Sequence, residues 1–171
     1  PAILKLTPRE QCGKSSATSP QLGTPYCLEV APVLSPLGVP CNEPPWGTLV
    51  AVDLDRGEIL WETALGTLEH IAPWPVSMIK GPPNVGGPAV TASGLTFIAG
   101  STDQYLRAFD TETGEELWKA PLPTGGHATP MTYRAGKDQK QYVVITAGGH
   151  FGMAAFGQVP SDHIIAFALP D

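Results

Sequence analysis

An eleven-residue pattern that occurs twice constrains the fold of this chain more than any other feature. Residues 51–61 and 108–118 both read A-x-D-x-x-x-G-x-x-x-W, at an offset of 57. The same offset aligns Leu49 with Leu106 and Leu65 with Leu122. A shorter third copy, Ala166-Phe167, corresponds to Ala108-Phe109 at an offset of 58. Repetition at a fixed period predicts stacked copies of one supersecondary unit.

Each copy of the pattern predicts two antiparallel strands joined by a tight turn. The aspartate side chain can accept hydrogen bonds from the amides of the turn, and the glycine four residues later takes the positive φ that the reversal needs. The closing tryptophan carries a large ring that needs a neighbouring sheet to cover it. Eight residues are therefore expected to be structural: Ala51, Asp53, Gly57 and Trp61 in the first copy, and Ala108, Asp110, Gly114 and Trp118 in the second. The two alanines are expected to pack beneath the tryptophan rings.

Further strand candidates lie between the copies and raise the count to four strands per period. They are residues 88–91, 95–99, 129–133 and 141–147. Four strands per repeat are typical of a propeller blade. The chain then holds the last two strands of one blade, one whole blade and three strands of another, an all-β partial propeller of about two blades. The alternative is a series of ordinary hairpins in a β-sandwich.

The first 45 residues differ from the rest because prolines interrupt every periodicity. The prolines are Pro8, Pro20, Pro25, Pro32, Pro36, Pro40, Pro44 and Pro45. We expect residues 1–45 to be an irregular segment that belongs to a larger propeller, and residues 46–171 to form the blades. With 19 glycines and 19 prolines in 171 residues, long helices are excluded.

Charge and cysteine content exclude several classes of function. The net charge is −6 and no basic cluster exists, so nucleic-acid binding is not expected. The apolar runs are about six residues long, far short of the roughly 20 of a membrane span. Cys12, Cys27 and Cys41 form no C-x-x-C pair, so a zinc site is not expected. Three free thiols are favoured, and a Cys12–Cys27 disulfide is the alternative.

The repeated pattern resembles the tryptophan-docking motif of quinoprotein alcohol dehydrogenases, eight-bladed propellers that carry pyrroloquinoline quinone (PQQ). Other segments are similar to one branch of them, the membrane-bound PQQ dehydrogenases of the glucose/quinate/shikimate type. These segments include Gly23–Tyr26, Leu34–Cys41, Asp103–Ala108, Gly125–Tyr133 and Ala147–His150. The family's proteins are several times longer, so the resemblance implies a C-terminal fragment of one of them, inactive alone.

The resemblance implies that this chain forms one wall of the cofactor site and contributes no catalytic residue. Asp103 and His150 correspond to residues near PQQ, and Gly149 lets the backbone approach the cofactor. Asn84, before Gly86-Gly87, is a further candidate, although a turn before a strand also needs glycine. Without the resemblance, Asp103 reads as a turn residue and His150 as a loop histidine with a structural hydrogen bond. The catalytic base and the Ca²⁺ ligands of the family belong to earlier blades, so no metal site is expected here.

The remaining expectations concern location, partners and the other histidines. The resemblance implies a periplasmic location on the inner membrane, ubiquinone as electron acceptor and a small polyol substrate, either glucose or quinate/shikimate. A non-catalytic propeller scaffold for protein assembly is the alternative, although a scaffold has no need of Ala147–His150. His70, His127 and His163 are expected to face solvent. Phe151 departs from the family's small residue, which puts the shape of the adjacent loop in question. Unpaired edges at residues 46–54 and 164–169 predict self-association.

Overall fold

The computed structural model describes residues 2–13, 18–137 and 139–168, and it is all-β over these ranges. These ranges contain twelve strands: β1 (Ala2–Pro8), β2 (Thr18–Pro20), β3 (Tyr26–Pro32), β4 (Thr48–Asp53), β5 (Glu58–Ala64), β6 (Ala89–Val90), β7 (Leu95–Ile98), β8 (Tyr105–Asp110), β9 (Glu116–Pro121), β10 (Met131–Ala135), β11 (Lys140–Ala147) and β12 (His163–Ala168). The described helices are three short 3-10 segments, at Arg9–Gln11, Val76–Met78 and Phe151–Phe156. The chain divides into two compact units, Pro1–Glu43 and Pro44–Asp171.

The first unit contains an antiparallel sheet in the order β1-β3-β2. The expectation that residues 1–45 are irregular is therefore wrong for these strands. The prolines do not interrupt the strands, because Pro8, Pro20 and Pro32 each stand at the last position of one. Proline is tolerated at strand ends and sheet edges, where its missing N–H breaks no ladder of hydrogen bonds. That this unit belongs to a larger propeller stays a prediction.

A disulfide joins Cys12 to Cys27 in the first unit, with their Cα atoms 6.0 Å apart. The favoured expectation of three free thiols is wrong, and the alternative pairing is the one observed. Cys27 lies on strand β3 and is fully buried, whereas Cys41 is a free, exposed thiol.

The second unit contains three antiparallel sheets that follow the repeat along the chain. Sheet 1 is β4-β5, sheet 2 is β6-β7-β8-β9 and sheet 3 is β10-β11-β12. The numbers of strands, two, four and three, are those that the repeat predicts. Each predicted strand between the copies is found within two residues of its expected ends.

The two copies of the pattern form the same hairpin in sheets 1 and 2. Asp53 Oδ1 accepts from the amides of Asp55 and Arg56 at 2.9 and 3.0 Å, and Asp110 Oδ1 accepts from those of Glu112 and Thr113 at 2.9 and 2.8 Å. Gly57 and Gly114 have φ of 68° and 75°, as the turn requires. Ala51 lies opposite Trp61 and Ala108 opposite Trp118, each followed by the same register shift.

Trp61 docks the hairpin of sheet 1 onto the turn of sheet 2. Its indole Nε1 donates to the carbonyl of Thr111 at 3.0 Å, and its ring lies against Gly114. A Cβ on Gly114 would lie 2.6 Å from that ring, so only glycine fits here. Trp118 instead meets Phe167 of sheet 3 edge to face, with centroids 5.3 Å apart. A neighbouring sheet thus contacts both rings, although Trp118 remains 39% exposed.

Equivalent repeat positions form the core on the two sides of sheet 2. Leu49 and Leu65 pack with Ile98 and Phe109 between sheets 1 and 2. Their equivalents 57 residues later, Leu106 and Leu122, belong to the core between sheets 2 and 3, with Ala99, Ile145 and Ala147. Because each interface buries the same positions of the repeat, the sheets stack in the same way along the chain.

Candidate functional site

The loops at one end of successive sheets are joined by hydrogen bonds between backbone groups of glycines. The Gly100 amide donates to Gly126 O at 3.0 Å, and the Gly149 amide donates to Gly125 O at 3.0 Å. Within the β5–β6 connection, the Gly81 amide donates to Gly66 O at 2.9 Å. The amide of Val85 donates to Gly100 O at 2.8 Å. These bonds bring the loops that carry Asn84, Asp103 and His150 to one end of the unit.

Asp103 is fully buried, and its carboxylate is held by other groups of the chain. Arg107 binds both carboxylate oxygens, with Nη1 3.0 Å from Oδ1 and Nη2 paired with Oδ2. The backbone amide of Thr67, in the loop after sheet 1, donates to Oδ2 at 2.9 Å. Asp103 therefore ties sheet 2 to the preceding loop, and its carboxylate does not cap its own turn.

Arg107 is buried between two carboxylates. Its Nε donates to Glu116 Oε2 at 2.9 Å, and its side chain is 3% exposed. Burial alone lowers the pKa of a guanidinium, but the hydrogen bonds and negative charges of Asp103 and Glu116 outweigh burial and raise the pKa of Arg107. Arg107 stays charged, and it links the carboxylate of Asp103 to Glu116 on strand β9.

His150 and Gly149 lie where sheet 3 leads into a short 3-10 helix. Gly149 has φ of 69°, and a Cβ there would lie 3.0 Å from Val159 O, so both the backbone and the neighbours require glycine. His150 Nδ1 accepts from the amide of Gly152 at 3.1 Å. A neutral ring that accepts at Nδ1 carries its proton on Nε2, which makes Nε2 a donor. Placement of the Phe151 side chain, which bears on the loop shape, lies outside what the structure describes.

Asn84 carries a buried donor without a protein partner. In the described part of the chain, three buried side-chain atoms have no hydrogen-bond partner: Asn84 Nδ2, Ser101 Oγ and Thr102 Oγ1. Buried polar atoms are nearly always paired, so such atoms call for an explanation. Asn84 also packs on Gly47, where a Cβ would overlap its side-chain amide.

His127 lies buried among these loops, and the expectation that it faces solvent is wrong. It is 8% exposed rather than facing solvent, because the loop between β9 and β10 folds inward. Its Nδ1 lies 2.9 Å from Val85 O and its Nε2 lies 2.6 Å from Gln158 Oε1. Its ring meets that of His150 edge to face, with centroids 6.0 Å apart. The adjacent Gly125-Gly126 was the one signal of a tight loop here, and nothing in the sequence pointed to Gln158.

The other two histidines are exposed, as expected. In the described ranges, no group of three or more His, Cys, Asp or Glu side chains could hold a metal ion. Among the same residues, no helix is long and apolar enough to cross a membrane.

The loops fit an anionic, flat cofactor by the chemistry of their groups. PQQ has quinone and carboxylate oxygens, which accept hydrogen bonds, and the unpaired atom of Asn84 and the Nε2 of His150 are donors. The glycines leave room for a close approach of backbone to ligand.

Known proteins with similar sequences are quinoprotein dehydrogenases. Quinoprotein glucose dehydrogenase of Escherichia coli (strain K12) is 45% identical over 163 residues, which cover 93% of this chain and 20% of that protein. A probable quinate dehydrogenase (quinone) of Xanthomonas campestris pv. juglandis is 46% identical over 156 residues, 89% of this chain and 19% of that protein. The chain thus spans about a fifth of the length of these relatives.

A solved structure and a family model agree with this similarity. A europium-containing methanol dehydrogenase matches 98% of this chain with 29% of its own, at a TM-score of 0.58 and 21% identity, which supports the fold alone. The family model described as "PQQ: Glucose/ethanol/alcohol dehydrogenase, beta-propeller domain" matches residues 3–143. The three sheets of the second unit are accordingly propeller blades, and the chain belongs to the β-propeller family of PQQ-dependent glucose, ethanol and alcohol dehydrogenases.

Proposed function

We propose that this chain forms part of the propeller and one wall of the PQQ site in a quinone-linked dehydrogenase that oxidises a sugar or a cyclic polyol. The observation that carries the proposal is the gathering of Asn84, Gly149 and His150 at one end of the sheets, with an unpaired buried donor on Asn84. Similarity to both glucose and quinate dehydrogenases supports this substrate class.

The proposed roles follow from the contacts of each residue. When bound, PQQ supplies the quinone that accepts a hydride from the alcohol carbon. His150 Nε2 and Asn84 Nδ2 donate hydrogen bonds to cofactor oxygens, and Gly149 admits the ring. Asp103 acts from behind the wall, because its carboxylate already holds Arg107 and Thr67. The catalytic base and the Ca²⁺ ligands are proposed to lie in other blades, so this chain alone turns over no substrate.

The Cys12–Cys27 disulfide supports the proposed location on the periplasmic side of the inner membrane. Disulfides form and persist in oxidising compartments such as the bacterial periplasm and are rare in the cytosol. Ubiquinone is the proposed electron acceptor, in line with the word quinone in the name of the relative from Xanthomonas.

Titration of the full-length apo-protein with PQQ tests the site. His150→Ala removes a hydrogen bond to a charged group, worth about 1.5–3 kcal/mol, so the apparent Kd for PQQ should rise about tenfold or more. His150→Asn keeps a donor and should lie at the lower end of that range. The fold should be unchanged, since the residue lies on a glycine-rich loop.

The exposed His70 supplies the control. His70→Ala should titrate like the parent protein, because its side chain is exposed to solvent. If His150→Ala also titrates like the parent, His150 is not in the cofactor site. If the parent binds no PQQ, the proposed function itself is wrong.

A further inference from the structure

The long connection between strands β11 and β12, residues 148–162, packs against the unit that carries it. His150 lies near its start and Gln158 near its end. Between them, the side chains of Met153 and Phe156 are buried, each residue being 8% exposed. The conformation of the connection is therefore set by its contacts with other segments of the chain.

Gln158 reaches from this connection to two separate loops. Its side chain is buried, with one end of the amide 2.6 Å from Nε2 of His127 and the other end 3.3 Å from the carbonyl oxygen of Thr102. Either orientation of the amide places its ends at these two positions. The same side chain lies against Gly125, where a Cβ would overlap the amide. Gln158 therefore joins the connection to the β7–β8 loop and to the β9–β10 loop.

Thr124 holds the same connection at the residue after Gln158. Its hydroxyl donates to the carbonyl oxygen of Val159 at 2.7 Å, and its side chain is buried. A Cβ on Gly149 would lie 3.0 Å from that carbonyl oxygen, so the residue before His150 packs on Val159. The placement of His150 thus depends on the segment that Gln158 and Thr124 hold.

We infer that Gln158 and Thr124 are positioning residues, which together form a clasp that holds His150 toward the cofactor site. The inference rests on the proposed function for the identity of the ligand, PQQ, and on the contacts above for the clasp. Neither side chain has to touch the ligand, because both act through the packing of Val159 on Gly149.

Loss of a clasp residue should release the connection without unfolding the sheet beside it. The carbonyl groups that Gln158 and Thr124 contact are shielded from water, so an unpaired group there costs free energy unless the connection opens. Strands β11 and β12 are held by their own ladder of hydrogen bonds and by the core at Ile145 and Ala147. Loop opening and global unfolding are separate events in such a structure.

Amide hydrogen exchange of the full-length apo-protein tests the clasp without any cofactor. Gln158→Met keeps an unbranched side chain of similar length and removes the hydrogen bonds, so the amides of residues 148–162 should exchange about tenfold faster. The amides of β11 and β12 should keep their rates. The matched control is Gln141→Met, at an exposed position of β11, which should leave exchange in the connection unchanged. Unchanged exchange in Gln158→Met, or faster exchange spread over both strands, would overturn the inference.

Thr124→Val tests the clasp from its other side. It keeps the shape of the side chain and removes the hydroxyl that binds the carbonyl oxygen of Val159. Exchange should again become about tenfold faster over residues 148–162 alone. If Gln158→Met does not fold, this variant decides the question, and unchanged exchange in it would refute the clasp.

The link to His150 is measured by direct PQQ binding to single and double variants. Gln158→Met should raise the Kd about tenfold, as His150→Ala does, the scale of one charge-assisted hydrogen bond. The double variant should bind about as weakly as His150→Ala alone, because a residue that acts through another adds nothing once that other residue is removed. Independent structural effects would instead multiply to about a hundredfold, which would contradict the positioning role.

The two measurements separate the inference from the proposed function. Faster exchange confined to residues 148–162, with no PQQ binding by the parent, would refute the cofactor assignment and support the clasp. PQQ binding by the parent, with multiplying effects in the double variant, would support the cofactor assignment and refute the role of Gln158 in positioning His150.

Discussion

At the scale of single residues, the feature considered first is the buried ion pair between Asp103 and Arg107. Asp103 and Arg107 are both almost fully buried and satisfy each other, with Thr67 and Glu116 completing the hydrogen bonds. Breaking such a pair leaves one charge without compensation in the interior, which is far more costly than breaking an exposed pair. The support beneath the proposed cofactor wall is therefore sensitive to the loss of either partner.

Arg107→Met should lower the free energy of unfolding by about 3–5 kcal/mol, because it leaves the Asp103 carboxylate buried and unpaired. Urea denaturation followed by tryptophan fluorescence measures the change. The matched control is Arg56→Ala, which removes an exposed pair with Asp53 at 3.8 Å and should change stability by less than about 1 kcal/mol. Equal decreases in the free energy of unfolding for the two variants would show that the buried ion pair stabilises the protein no more than the exposed one.

We expect the contribution of Asp110 to the free energy of unfolding to depend on pH. The amide of Thr113, its hydroxyl and the amide of Glu112 donate to the carboxylate, and these bonds lower the pKa of Asp110. Because the pKa of Asp110 is lower in the folded state than in the unfolded state, its ionised carboxylate stabilises the fold. This stabilisation is complete above the ordinary aspartate pKa of about 4 and is lost as the pH falls through the lower pKa of the folded state. The urea midpoint should thus fall on acidification, and it should fall less in Asp110→Asn, which accepts hydrogen bonds without titrating. Identical pH profiles for the two proteins would contradict this origin.

At the scale of elements, the same hairpin meets different surroundings in the two copies. Gly57 and Gly114 both have positive φ, but a Cβ on Gly57 would meet no atom within 4 Å, whereas one on Gly114 would meet the Trp61 ring at 2.6 Å. A substitution at Gly57 therefore introduces backbone strain alone, whereas the same substitution at Gly114 also disturbs the packing of sheet 1 on sheet 2.

Gly57→Ala should cost about 1–2 kcal/mol, the price of a left-handed backbone for a residue with a side chain. Gly114→Ala should cost about 1–3 kcal/mol more, because Trp61 must also shift. Denaturation gives both values, and near-ultraviolet circular dichroism should report the disturbed tryptophan only in Gly114→Ala. A similar loss in both variants would mean that the docking of Trp61 adds nothing beyond the turn.

At the scale of the whole molecule, strands β4 and β12 are among those that have an unpaired edge within the described part of the chain. β4 pairs only with β5, and β12 only with β11. Val52 and Ile164, on these strands, are 48% and 73% exposed. Unpaired strand edges with exposed apolar side chains favour pairing with another chain.

The 171-residue chain should therefore self-associate, with sedimentation showing an increase of mass with concentration. Val52→Lys places a charge beside the edge of β4 and should weaken association. Leu22→Lys, in the loop between β2 and β3, should leave association unchanged. A monomer at every concentration in the unmodified chain would contradict the prediction.

The sequence by itself determined the repeated elements of this protein. The turn of each hairpin depends on an aspartate and a glycine four residues apart, and the two strands that pair are adjacent in the sequence. Interactions of so short a range are readable from the sequence, because local turn chemistry and alternation of side chains decide them. The repeat period then placed the remaining strands and the core leucines.

Only the tertiary structure decided the surroundings of the site. Whether His127 faces solvent depends on Gln158, 31 residues later, and the orientation of Gln158 depends on Thr102, 56 residues earlier. Sequence patterns were also insufficient in the first unit. Its prolines, which favoured an irregular segment, stand at the ends of strands. The Cys12–Cys27 disulfide depends on the approach of two segments 15 residues apart. A side chain's partners across such separations are set by how loops of different blades meet, and no local pattern encodes that meeting.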